Sequence, residues 1–245
     1  MKLNSKRTIL VGLAFLSICA FWQMYDSIVP LILTKTFHMN ETFSGAIMAA
    51  DNILALFLLP FFGSVSDKSH TKIGKRMPFI LFGTGCAIIL MNILPLLDNS
   101  YAAQPSGFKT ASFVIVLGLL LVAMGTYRSP AVALMPDVTP KPLRSRANAI
   151  INLMGAVGGI LYLGVAAVLY PNSKTAGVEH VNYQPLFIVV SAIMFLAIAV
   201  LFLTIKEPKL TAENQALEKQ HPEWNLAQDD GSGHETCLLY TSPSP

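Results

Sequence analysis

Gly63-Ser64-Val65-Ser66-Asp67-Lys68, followed by Gly74-Lys75-Arg76-Met77-Pro78, decides how this chain folds. The stretch is short, basic and punctuated by glycine. It lies between two long apolar runs, Ile53 to Phe62 before it and Phe79 to Leu97 after it. Apolar runs of that length joined by a basic loop read as two membrane spans, with the loop's charge setting the side it occupies.

Composition agrees. The chain is 53% hydrophobic and 13% charged, with a mean hydropathy of +0.55, whereas soluble domains are about 25% charged. A hydrocarbon core of about 30 Å takes about 20 apolar residues per helix. Six stretches meet that length: 8–34, 43–63, 78–98, 110–135, 146–170 and 185–205. Arg128, Pro130 and Pro136 interrupt the fourth. A secretory signal is the rival reading of the N-terminus, where Lys2, Lys6 and Arg7 precede an apolar run, but the run is longer than a signal core and further spans follow.

The expected fold is therefore an all-α integral membrane protein, six transmembrane helices in one bundle. With the N-terminus inside, the inner segments hold 12 Lys and Arg residues and the outer segments hold Lys35, Lys109 and Lys174. The positive-inside rule then selects both termini in. The net charge of +3 reports orientation and gives no ground for a nucleic-acid partner. The lipid bilayer is the expected surrounding.

Residues 1–207 make up the bundle, and 208–232 read as a polar inner-side linker with a short surface helix near Thr211 to Gln220. The end, Cys237-Leu238-Leu239-Tyr240-Thr241-Ser242-Pro243-Ser244-Pro245, resembles translated sequencing-adapter read-through. Residues 233–245 are accordingly read as a disordered tail and assembly artefact. Cys19 and Cys86 fall within spans and Cys237 in the tail, without metal-type spacing; no metal site or organic cofactor is expected. Asn40-Glu41-Thr42 matches the glycosylation acceptor pattern, a three-residue match that arises readily by chance.

Ionisable groups inside a bilayer are costly and usually line a cavity. Asp26 lies 8 residues before Thr34, and Asp51 lies 8 residues after Phe43. Each is thus about 12 Å below the outer surface, in one layer. Arg128 lies 8 residues before Pro136, about 6 Å deeper than the acids. An acid–Arg pair across that gap can be made and broken by protonation, the physical basis of proton coupling. A permanent interhelical salt bridge is the alternative.

Trp22-Gln23-Met24-Tyr25-Asp26 places Trp22 and Asp26 at i,i+4 on one helix face. An aromatic ring beside hydrogen-bonding side chains suits a sugar, and an interfacial belt role is the rival for Trp22. Asn148, Asn152, Gly155 and Gly159 form a stripe on the fifth span, where the glycines suit close helix packing. For the asparagines, interhelical bonding and substrate contact stay equally open.

Three segments resemble one branch of the major facilitator superfamily, the sucrose:proton and glycoside–pentoside–hexuronide:cation symporters. They are Gly63 to Pro78, Tyr127 to Asp137 and Arg144-Ser145-Arg146-Ala147-Asn148. With Trp22 to Asp26 and Asp51-Asn52, the resemblance covers residues 8–208. It implies that the chain is the N-terminal six-helix half of a plasma-membrane symporter. That symporter would work by alternating access against a missing C-terminal six-helix half, carrying a small polar solute such as a sugar.

From their polarity and placement within the spans, Asp26, Asp51, Arg128, Trp22, Gln23, Tyr25, Asn52, Asn148 and Asn152 are the candidate substrate-binding and proton-coupling residues. The resemblance implies that Gly63, Asp67, Lys68, Gly74, Lys75 and Arg76 form the cytoplasmic gate, with Asp67 meeting a helix N-terminus of the other bundle. Melibiose-type relatives carry paired acids for sodium where this chain has Ala55 and Leu59. A proton rather than sodium is therefore the expected coupling ion. The alternatives are a freestanding six-helix protein acting as a dimer, and a polytopic membrane transferase gripping phosphate at Asp67. The latter usually needs several clustered acids.

Overall fold

The computed structural model describes residues 3–171, 175, 178, 180–222 and 224. Among the described residues, six helices are long and apolar enough to cross a membrane. These are α1 (Ser5–Leu31), α2 (Glu41–Lys68), α3 (Met77–Ala103), α4 (Gly107–Val138), α5 (Arg144–Leu169) and α6 (Gln184–Thr204). A shorter helix, α7 (Glu207–Gln220), follows. Lys2, Lys174, the far end of the linker and the whole tail 233–245 lie outside the described residues.

The helices begin where the sequence supplies caps. The Asn4 side chain accepts from Arg7 N (3.2 Å), and the Asn40 side chain accepts from Thr42 N (3.1 Å). Pro30 removes one ladder donor near the end of α1, which then runs into a single π-helical turn, Ile32–Thr36. Pro130 and Pro136 were expected to interrupt the fourth span, yet α4 is continuous through both. Neighbouring helices can compensate for a proline in a membrane helix. Beside Pro130, Ser129 Oγ donates to Leu59 O (2.8 Å), which ties α4 to α2 but leaves the carbonyls freed by the two prolines as they are.

α1 is the centre of the bundle and packs on α5 and α6, while α3 packs on α4 and α6, and α2 leans on α4. The close approach of α1 and α5 rests on Gly158, where a Cβ would fall 2.1 Å from Leu16 O. This glycine lies between the two expected to pack. Gly155 meets the Cys19 thiol, and Gly159 has only Gln23 Oε1 at 3.8 Å. Much of α2 is uncovered: Ile53, Leu56, Phe57 and Phe61 are all exposed. Such a face is unfavourable in water and ordinary in lipid or against further helices.

α2 runs on to Lys68, past the expected inner end at 63, so Gly63, Asp67 and Lys68 stand on a helix and the loop proper is shorter. α7 also departs from a free surface helix, because Glu207 and Asn214 are buried. Asn214 Nδ2 donates to Asp137 O (3.1 Å) and Thr139 O (3.4 Å), capping the end of α4. Arg144 at the start of α5 meets Glu218 at 3.0 Å. α7 thus ties together the ends of α4 and α5.

Candidate functional site

Two groups of residues stand out, one in mid-bundle and one at the basic end. In mid-bundle, α1 turns Phe21, Met24, Tyr25 and Ile28 into the core. Cys19, Trp22, Gln23 and Asp26 recur at i, i+3, i+4 and i+7 on a less covered face, with Asp26 exposed. Tyr25 and Asp26 lie within electrostatic reach of Asp51 on α2. Asp51 Oδ1 accepts from the backbone (2.6 Å) and side chain (3.0 Å) of Asn52.

Arg128 projects from α4 into this group. Its neighbour Tyr127 fixes the helix, donating to Ala14 O (2.9 Å) and sharing a 2.5 Å hydrogen bond with Ser17 Oγ. The Arg128 guanidinium stands 5.5 Å from the centre of the Trp22 ring, and the Cys19 thiol is within its electrostatic reach. The expected acid–Arg pair is not formed. Among the described residues no carboxylate lies within ion-pair distance of Arg128, and arginine pairs are made by Arg76 and Arg144. The guanidinium stands against the Trp22 ring instead.

Trp22, Asp51, Ala55, Leu59 and Arg128 border a small cavity of about 20 Å³, room for about one water. Two donors of the group, Trp22 Nε1 and the Tyr25 hydroxyl, are buried without a hydrogen-bond partner. Each such orphan costs about 1–3 kcal/mol, so they mark a place where a polar ligand gains affinity. Asn148 and Asn152 are exposed on α5, and no contact joins them to Arg128 or the acids.

At the basic end, Arg76 is the hub of a knot. Its guanidinium binds Asp67 on α2, Ser66 Oγ (2.6 Å) and Asp137 Oδ2 at the end of α4 (2.9 Å). Arg76 is buried and joins three helices of one bundle. Gly74 is buried too, Lys75 half-buried, and Lys68 exposed. Asp67 keeps 59% of its side chain exposed, leaving one edge free to face another surface.

Glu207 completes the knot from the other side. Its carboxylate accepts from Lys75 N (2.7 Å), Arg76 N (2.9 Å) and Met77 N (2.9 Å), an anion seated on the N-terminus of α3. Gly74 makes room for it, with φ +122° and a Cβ position that would fall 2.2 Å from Glu207 Oε2. Sequence reasoning missed Glu207, Asn214 and the site-facing Cys19. The signal for Glu207 was an acid between Lys206 and Pro208 right after the last apolar run.

The Major Facilitator Superfamily profile matches residues 11–231. Among curated proteins, the Arabidopsis thaliana protein named sucrose transport protein SUC3 is 34% identical over 158 residues, 60% of this chain and 26% of that protein. Sucrose transport protein SUT3 of Oryza sativa subsp. indica is 34% identical over 154 residues, 57% of this chain and 30% of that protein. The alpha-ketoglutarate permease of Escherichia coli (strain K12) is 27% identical over 168 residues, 69% of this chain and 34% of that protein. The chain thus spans about a third or less of the relatives it matches. No solved structure matches. With six helices able to cross a bilayer and a profile match over most of its length, the chain belongs to the Major Facilitator Superfamily, a family of membrane transporters and not of enzymes.

Proposed function

We propose that the chain forms the N-terminal half of a proton-coupled sugar symporter working by alternating access with a second six-helix bundle. The observation that carries this reading is the mid-bundle group: an indole ring, an unpaired guanidinium and two orphaned donors beside Asp26 and Asp51. A sugar ring stacks on the indole while its hydroxyls satisfy Trp22 Nε1, Tyr25 and Gln23. Similarity to two sucrose transport proteins supports a glycoside over other polar solutes. The uncovered face of α2 supports a further bundle.

The coupling step follows from elementary electrostatics. Asp26 lies within electrostatic reach of Asp51, so a proton taken up at Asp26 changes the charge that Arg128 meets. Arg128, held among the described residues by the Trp22 ring, is free to swing toward either acid when the proton leaves. Ala55 and Leu59 flank Asp51 with apolar side chains, which supports a proton over sodium. Basic residues at the Arg76 end favour both termini in the cytoplasm of a plasma-membrane protein.

A second reading has its own observation. An arginine without a carboxylate partner can bind a substrate carboxylate, and the alpha-ketoglutarate permease is among the relatives. Uptake of labelled sucrose by cells expressing the whole protein, with competition by unlabelled glycosides and by dicarboxylates, separates the two. Competition by dicarboxylates alone would replace the sugar reading.

A further inference from the structure

At the end of the bundle opposite Arg76, Asp98 of α3 is fully buried. Neither of its carboxylate oxygens has a hydrogen-bond partner. The nearest potential cation is His180, ahead of α6, with Nε2 3.9 Å from Asp98 Oδ2. His180 is itself bridged, with Nδ1 3.3 Å from Thr36 Oγ1 and Nε2 2.9 Å from Asn99 Oδ1. Thr36 ends the π-helical turn and sits beside Asp98 as well. From Asn99 the chain of bonds runs to Asn182 Oδ1 (2.9 Å), which also accepts from Gln184 N (2.9 Å) at the start of α6.

Hydrogen-bond direction supplies the logic. With Nε2–H donating to Asn99, a neutral His180 offers Nδ1 as an acceptor, and the Thr36 hydroxyl donates a hydrogen bond to it. Asp98 is then left with no donor. A proton added at Nδ1 reverses that bond: the imidazolium donates to Thr36 Oγ1, and the Thr36 hydroxyl hydrogen is released to turn to Asp98. The same proton places a positive charge 3.9 Å from the carboxylate. One proton from the medium therefore gives buried Asp98 a donor and a counter-charge, and a cavity of about 460 Å³ lined by Lys35, Thr36, Tyr170, His180 and Tyr183 gives it access.

We propose that Asp98, Thr36 and His180 form a proton-binding site that, when loaded, ties the foot of α6 to the ends of α1 and α3. Among the described residues, the other titratable groups around it are Lys35 from the π-helical turn, Tyr170 after α5 and Tyr183 before α6. Lys109 of α4 is committed to Ser100 O and Gln104 O. The tie is made when that proton is bound and lost when it leaves. The site involves neither Asp26 nor Asp51, and it stands whether or not those acids couple transport.

The test is a spin label on a cysteine at exposed Val178, in protein otherwise free of cysteine, reconstituted in lipid vesicles. On going from about pH 5 to about pH 8 the mobile population rises about tenfold, the ratio that about 1.4 kcal/mol for an orphaned buried group produces. His180→Gln and Thr36→Val give the same spectrum at both pH values. Thr36→Val is the near-isosteric control that keeps the histidine and removes only the relay. A parent spectrum independent of pH, or an unchanged pH response in either variant, overturns the proposal.

Discussion

The Arg128 guanidinium rests on the Trp22 ring at 5.5 Å, with no carboxylate in ion-pair range among the described residues. A cation–π contact is worth about 0.5–2 kcal/mol, less than breaking a buried ion pair at about 3–5 kcal/mol. Arg128 is therefore parked where it can change partners at small cost. That is the property a coupling residue needs, and a permanent salt bridge would lack it.

Trp22→Ala removes both the stacking surface and the seat of Arg128. Its KM for sugar rises about tenfold or more, as expected for loss of about 1.5 kcal/mol of stacking, while Trp22→Phe stays within a few-fold of the parent. Concentration-dependent uptake measures this, and an unchanged KM in Trp22→Ala removes the ring from the site.

Arg128→Lys keeps the charge but gives up the planar fork that both stacks and binds bidentately. Uptake falls about tenfold or more while surface expression is unchanged, the scale of one lost charge-assisted contact. Equal kinetics in Arg128→Lys and parent would show that Arg128 only anchors the helices.

Gly74→Ala meets two penalties at once, a left-handed φ and a Cβ 2.2 Å from Glu207 Oε2. The cost is about 1–3 kcal/mol, read as a lower Tm of the detergent-solubilised protein. Glu207→Gln keeps the shape and loses the anion on the α3 N-terminus, lowering stability by about 1 kcal/mol. A Tm unaffected by both changes would mean the Glu207 cap contributes nothing.

Arg76→Lys is not conservative here. A single ammonium cannot reproduce bonds to Asp67, Ser66 and Asp137 through separate nitrogens. Thermal stability drops by about 2 kcal/mol or more, and the ends of α2 and α4 exchange amide hydrogen faster. Exchange that is unchanged at those ends would contradict the hub role.

The spans were legible because a bilayer imposes length and apolarity on each helix, and the basic loop fixed attention on Arg76. The partners of Arg76 were not legible, because Asp67, Asp137 and Glu207 are far apart in sequence and meet only through helix packing. Sequence spacing put Arg128 about 6 Å deeper than Asp26 and Asp51, but depth does not give rotation about the helix axis. The contact that seats Arg128 on Trp22 therefore appeared only in three dimensions. Gly158 was passed over for the same reason, since a GxxxG spacing names neighbours on a face without saying which one meets the partner backbone. Asp98 lies at the very end of the third expected span, where an acid looks solvated until the α6 foot covers it.

The most direct test of the central claim is accumulation of labelled sucrose by vesicles carrying the whole protein, with and without an imposed inward proton gradient. Proton coupling through Asp26 predicts gradient-driven accumulation that a protonophore abolishes, and an Asp26→Asn variant that equilibrates sugar without concentrating it. Accumulation indifferent to the gradient, or an Asp26→Asn variant that still concentrates sugar, would contradict it.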